Sequence, residues 1–152
     1  DETLGDVYFK KLFPMGVDAM MESLDLVKAG IILKHDQRLD DGSYESWFKK
    51  ADAELDWSKP VADVYNIIRA ANPAPGAWTT LAGNEVQIFD SARADGEGTP
   101  GEVVSVDENG VSVQAGGGRI VIKRVRPKGG DKQPATDWAS SAGVEAGTKL
   151  DS

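Results

Sequence analysis

Apolar positions fall into two regimes along the chain. Val17, Met20, Met21, Leu24 and Val27 recur at helical spacing and predict an amphipathic helix within residues 3–29. Pro14 and Gly16 interrupt this pattern, so a kink or restart is expected near Phe13, and Gly30 is the expected stop. The stripe either packs within its own small domain or belongs to a larger domain outside this chain. Residues 34–56 turn polar and read as an extended linker, pinned at intervals by Tyr44, Trp47 and Phe48. A second helix follows. Ser58 is the expected N-cap, Pro60 suits the first turn, and Val61, Val64, Tyr65 and Ile68 form the stripe. Asn72-Pro73 ends it, because a residue before proline avoids the α-region.

Beyond Pro75-Gly76 the period changes from helical to alternating. Residues 77–81 and 85–89 predict a hairpin turning at Gly83-Asn84. Residues 101–106 and 111–114 flank Asn109-Gly110, a type I′ signal. Residues 119–125 form a last strand, entered through Gly116-Gly117-Gly118. Five short strands with glycine-rich turns predict a small open barrel of the oligonucleotide/oligosaccharide-binding (OB) type, capped by the second helix. A short helix at 136–141 should place Trp138 at one end of the barrel, and the tail from Ala146 is expected to be mobile. The fold class is therefore α+β, with a helix ahead of an OB-like barrel.

Composition narrows the chemistry. Among 152 residues there is no cysteine, which excludes disulfides, thiolate metal sites and a cysteine nucleophile. No apolar run is long enough to span a bilayer, so no membrane partner is expected, and the cytoplasm is the default compartment. The net charge of −8 is unevenly spread. Residues 81–116 hold seven acidic side chains and one basic, whereas residues 117–133 hold six basic and one acidic. The total disfavours nucleic acid, yet Arg119, Lys123, Arg124 and Arg126 remain candidate phosphate or RNA contacts. Strict alternation puts Lys123 with Val121 and Val125, and Arg124 with Ile120 and Ile122. Strand-edge charge that resists aggregation explains them as well.

Other motifs have plainer readings. Residues 96–101 spell G-x-G-x-x-G, but Pro100 lies inside and a strand follows, so this is a loop and not a dinucleotide fingerprint. His35, the one histidine, has no recognisable catalytic partner, and Asp36, Asp40 and Asp41 do not match a calcium loop. No metal site is expected.

Asp56-Trp57-Ser58-Lys59-Pro60, Ile68-Arg69, Asn72-Pro73 and Pro75-Gly76-Ala77-Trp78-Thr79 resemble the carboxy-terminal domain of the folate-dependent formyltransferases. So do Gly129-Gly130 and the spacing of Ala135, Trp138 and Gly143. The family includes methionyl-tRNA formyltransferase, the hydrolase part of 10-formyltetrahydrofolate dehydrogenase, and some sugar formyltransferases. Val7-Tyr8, Leu12 to Val17, Met20 and the run from Leu24 to Gly30 resemble the dehydrogenase/hydrolase branch, as does Tyr44 with its acidic neighbours.

The resemblance implies three parts. Residues 1–33 would be the last helix of a Rossmann-like catalytic domain, 34–56 a linker, and 57–152 the OB-like domain. It implies one-carbon chemistry in a parent enzyme, with a formyl group passing from 10-formyltetrahydrofolate to a small-molecule acceptor or to water. The alternative is the tRNA-binding domain of a methionyl-tRNA formyltransferase, with tRNA as partner. The family's catalytic asparagine, His-Pro-Ser type segment and aspartate have no counterpart here, so no catalytic residue is assigned. Nor is tetrahydrofolate expected on this chain without an amino-terminal formyltransferase domain. Tyr44, Asn72, Pro75, Gly76 and Trp78 are the candidates for an acceptor cleft or interdomain contact.

Overall fold

The computed structural model describes residues 1–32 and 34–151, in two compact units that meet at Trp47/Phe48. Leu33, part of the expected apolar run after the first helix, lies outside the described residues.

The first unit is built on one helical stretch. α1 (Leu4–Val7) passes into a π-helical turn at Tyr8–Leu12 and then into α2 (Phe13–Lys28). Thr3 and Asp6 cap the start reciprocally, the Asp6 N–H donating to Thr3 Oγ1 and the Thr3 N–H to Asp6 Oδ2. The break expected near Phe13 is thus a widened turn. It accommodates Pro14, which has no N–H to donate and whose ring would crowd the carbonyl four residues back. Gly30, at φ 74°, ends the helix. The Ile31 N–H reaches Leu26 O and the Gly30 N–H reaches Val27 O, a Schellman closure. No described residue of 2–47 is buried. Tyr44 and Trp47 are 90% and 85% exposed, so they do not pin the chain as expected. Residues 42–47 lack regular structure and bring no apolar surface against these rings.

The second unit closes a core of its own. Ala53 and Leu55 enter this core although their segment reads as polar linker, and Trp57 follows them into it. The Leu55 N–H donates to Trp78 O, and Trp57 Nε1 donates to Thr79 Oγ1. α3 (Val61–Ala70) buries Val64, Tyr65 and Ile68 as its spacing predicts, with Val61 packed at the margin. Its start differs from expectation. Ser58 does not cap it, because the Ser58 hydroxyl and N–H both turn back to Asp56 Oδ1. Pro60 is the N-cap, and the Val61 N–H is satisfied by Gly116 O.

The strands are β1 (Ala77–Leu81), β2 (Asn84–Ala94), β3 (Val103–Asp107), β4 (Gly110–Ala115), β5 (Gly118–Pro127) and β6 (Gln133–Pro134). They form one antiparallel sheet in the order β1-β2-β5-β4-β3, with β6 added to β5. The first hairpin turns at Ala82-Gly83, one residue earlier than expected, because Leu81 pairs with Asn84. The second turns at Glu108-Asn109, because Asp107 pairs with Gly110 and its carboxylate accepts the Asn109 N–H. Gly110 is required for closeness instead: a Cβ there would lie 2.1 Å from Ile122 O.

The tail is ordered, contrary to expectation. Lys149 bridges to Glu102, and Asp151 pairs with Thr80 of β1. The Val103 N–H donates to Thr148 O, and the Leu150 N–H to Gly101 O. Residues 147–151 thus connect β1 with the start of β3, the two outer strands of the sheet path, and Leu150 is buried beneath them. α4 (Ala135–Ala142) buries Ala135, Trp138 and Ala139 and ends at Gly143, φ 68°.

Candidate functional site at a bulge in the sheet

The expected alternation along β5 fails at one place. Ser91 pairs with Ile122 and Asp90 with Arg124, which skips Lys123; Ile88 then pairs with Val125, which skips Phe89. Each strand carries one extra residue, so the sheet bends here. Ile120, Ile122 and Val125 all point inward, and Lys123 and Arg124 are both exposed. Arg124 therefore does not share a face with Ile120 and Ile122.

The bulge makes a built feature around Phe89. Phe89 has no ladder partner, and its carbonyl accepts instead from Asn72 Nδ2 at 2.6 Å. Gln87 is buried beside it. Its Nε2 donates to Pro75 O at 3.1 Å, and its Oε1 accepts from Arg126 Nε at 2.9 Å and Nη2 at 2.5 Å. Gly76 sits at φ 89°, and a Cβ there would lie 3.1 Å from the Phe89 ring. The turn at 72–76 is thus fastened to β2 by two side-chain amides and one close approach that glycine permits.

Cations gather over the same ring. The Arg126 guanidinium lies 5.4 Å and Lys132 Nζ 3.6 Å from the Phe89 centroid. Partial burial, and then the charges of Arg126 and Arg124, push the Lys132 ammonium below its ordinary range. Among the described residues, none of Arg119, Lys123, Arg124, Arg126, Lys128 and Lys132 has a carboxylate within 4.0 Å. The chain's ion pairs lie elsewhere.

Of the residues singled out from sequence, Asn72, Pro75, Gly76 and Arg126 converge here. Arg124 contributes its charge to Lys132. Trp78 pairs across to Gln87, which pairs to Arg126, so the three form one row across the sheet. The Trp78 indole N–H donates to Lys50 O, and Lys50 in turn pairs with Glu85 at 2.6 Å. Lys123 stands apart, beside the β3–β4 turn. Arg119 lies against Gly96 at the other end of β5, with its Nε directed to Gln114 Oε1. Tyr44 is in the first unit and exposed.

Gln87, Phe89 and Lys132 were missed. The available signal was an aromatic at 89 on the outward face of a strand whose Val86 and Ile88 point inward. Among the described residues no group of three potential metal ligands occurs, and no helix is long and apolar enough to cross a membrane. The 96–101 glycines lie in the connection from β2 to β3, as a loop.

Residues 48–143 match the family described as the formyl transferase C-terminal domain. A methionyl-tRNA formyltransferase of Chromobacterium violaceum is 36% identical over 150 residues, covering 99% of this chain and 48% of that protein. One from Geotalea daltonii is 34% identical over 142 residues, covering 92% and 45%. The chain thus spans about half the length of these relatives. In structure, a variant of HypX from Aquifex aeolicus superposes with a TM-score of 0.77 at 21% identity, over 93% of this chain and 25% of HypX. HypX in complex with tetrahydrofolic acid superposes with a TM-score of 0.65 at 22% identity, over 82% and 22%. The fold is shared with HypX, and the sequence match over more than half its length makes this chain a member of the formyltransferase C-terminal domain family.

Proposed function

We infer that this chain is the carboxy-terminal part of an enzyme that moves the formyl group of 10-formyltetrahydrofolate to an acceptor, and that the face around Phe89 receives that acceptor. In this reading α1–α2 complete a Rossmann-like catalytic domain that supplies folate binding and catalysis. The sheet is the OB-like module that holds the acceptor. The observation that carries the reading is the gathering of Arg124, Arg126 and Lys132 at one bulge without a carboxylate partner. Like charges held together without a counter-ion repel one another, and an anionic ligand relieves that repulsion. The relatives named methionyl-tRNA formyltransferase make tRNA the acceptor of choice. The net charge of −8 opposes general attraction to RNA, but the cations are segregated on β5 and the segment after it, which leaves a local basic face for phosphate.

Filter binding of initiator tRNA to the chain at rising salt tests the reading. Log affinity should fall linearly with log salt, and Arg124→Ala with Arg126→Ala should each reduce the slope by roughly one phosphate contact. Absence of binding at low salt, or binding indifferent to both salt and these substitutions, would overturn it. The second reading, formyl release to water, is favoured by the acidic total charge, and that negative outcome would support it.

A further inference from the structure

Lys132 has no role in the reading above beyond its charge, and Gln87 has none. Together they make a more specific feature. Arg126 spends Nε and Nη2 on a single acceptor, Gln87 Oε1. Among the described residues no carboxylate lies within 4.0 Å of it, so the outer guanidinium edge has no ion-pair partner. Lys132 Nζ stands over the same Phe89 ring and makes no hydrogen bond among the described residues. Both cations lie within 5.4 Å of the Phe89 ring centre, and among the described residues neither has a carboxylate within 4.0 Å. Asp90 is opposite Arg124 in the ladder, yet it forms no ion pair with it within 4.0 Å.

We propose that Arg126 and Lys132 form a subsite for a single phosphoryl group above Phe89, and that Gln87 is the positioning residue that sets the Arg126 guanidinium for it. Gln87 reaches this role through its geometry. Its amide nitrogen donates to Pro75 O while its carbonyl oxygen accepts from Arg126, so one side chain ties the guanidinium to the turn at 72–76. A planar fork fixed at one edge presents its remaining donors in a defined direction, which suits a tetrahedral oxyanion. Lys132 supplies the second charge.

The inference rests on the reading of this face as the acceptor's, but it can fail separately. The test follows the titration of Lys132 by NMR in the 152-residue chain, with inorganic phosphate and with a dinucleotide phosphodiester as probes. Either probe should move the Lys132 titration upward, because an anion favours the ammonium. Gln87→Glu keeps the size of the side chain but adds a carboxylate against Arg126. It should raise the Lys132 titration in the absence of probe and abolish the response to phosphate. Gln87→Met removes the acceptor and should weaken the response to both probes while amide spectra show an intact fold. A response to inorganic phosphate alone would support the subsite and remove the RNA phosphodiester as its occupant. If initiator tRNA binds while neither probe moves Lys132, or if the phosphate response survives in Gln87→Glu, the subsite is wrong and the broader reading stands.

Discussion

The two units of this chain use apolar residues in opposite ways. Residues 48–151 bury Trp57, Ile68, Ile88, Ile120, Ile122 and Leu150 almost completely. Residues 2–47 leave Phe9, Phe13, Met20 and Val27 more than half exposed. The second unit therefore draws stability from its own core. The first has a capped start, a Schellman end and no buried residue among those described, so packing contributes little to it. Secondary structure alone does not make the two equivalent: one fold is cooperative, and the other is a helix presenting a surface.

Core truncations should separate the units most sharply. Ile122→Ala should cost roughly 2–5 kcal/mol, from lost burial plus the cavity left. Leu24→Ala on the exposed face of α2 should stay within about 0.5 kcal/mol. Denaturant unfolding of the two variants checks this, and equal losses would mean that the units form one cooperative body. Deleting residues 147–152 should come next. It removes the burial of Leu150, worth about 1.5–3 kcal/mol, and the backbone bonds that link β1 to the start of β3. Thermal melts should show a clear drop in the second unit and no change in helix content from the first.

Acid should act on both units, but weakly and differently. Hydrogen bonding to Lys10, and then to Thr3, holds the Asp6 carboxyl well below the carboxylate range. The Asn109 N–H, and then the Ser105 hydroxyl, lower Asp107. A lowered folded-state value means that the contribution is present above the ordinary carboxylate range and is lost as pH falls through the folded value. As pH falls from about 4 toward the lower folded value of Asp6, the amino end of α1 should fray progressively while the β3–β4 hairpin persists, because its strands remain paired through the sheet. Amide chemical shifts of Asp6 and Asn109 against pH would show the order of loss.

Much of this was legible in the sequence, for physical reasons that also explain the rest. The α3 stripe of Val64, Tyr65 and Ile68 depends on a local period, and so do the alternating strands. The Ser58 cap failed because Asp56, two residues earlier, competes for the same hydroxyl and N–H. The type I′ turn at Asn109-Gly110 failed because the Asp107 side chain takes the Asn109 N–H. The ordered tail was hidden because Leu150 is its single large apolar residue and its partners lie near 80 and 102. The site was half visible. Asn72, Pro75, Gly76 and Arg126 carry recognisable signals, whereas Gln87 joins them through strand pairing, Phe89 through the bulge and Lys132 through the segment after β5, none of which a local pattern encodes.

The central claim is that the second unit alone carries the acceptor-binding face. Its most direct test compares initiator-tRNA binding by residues 48–152 with binding by the whole chain across a salt series. Affinities and salt slopes should be equal. A large loss of affinity on removing residues 1–47, with the shortened chain still folded, would contradict it.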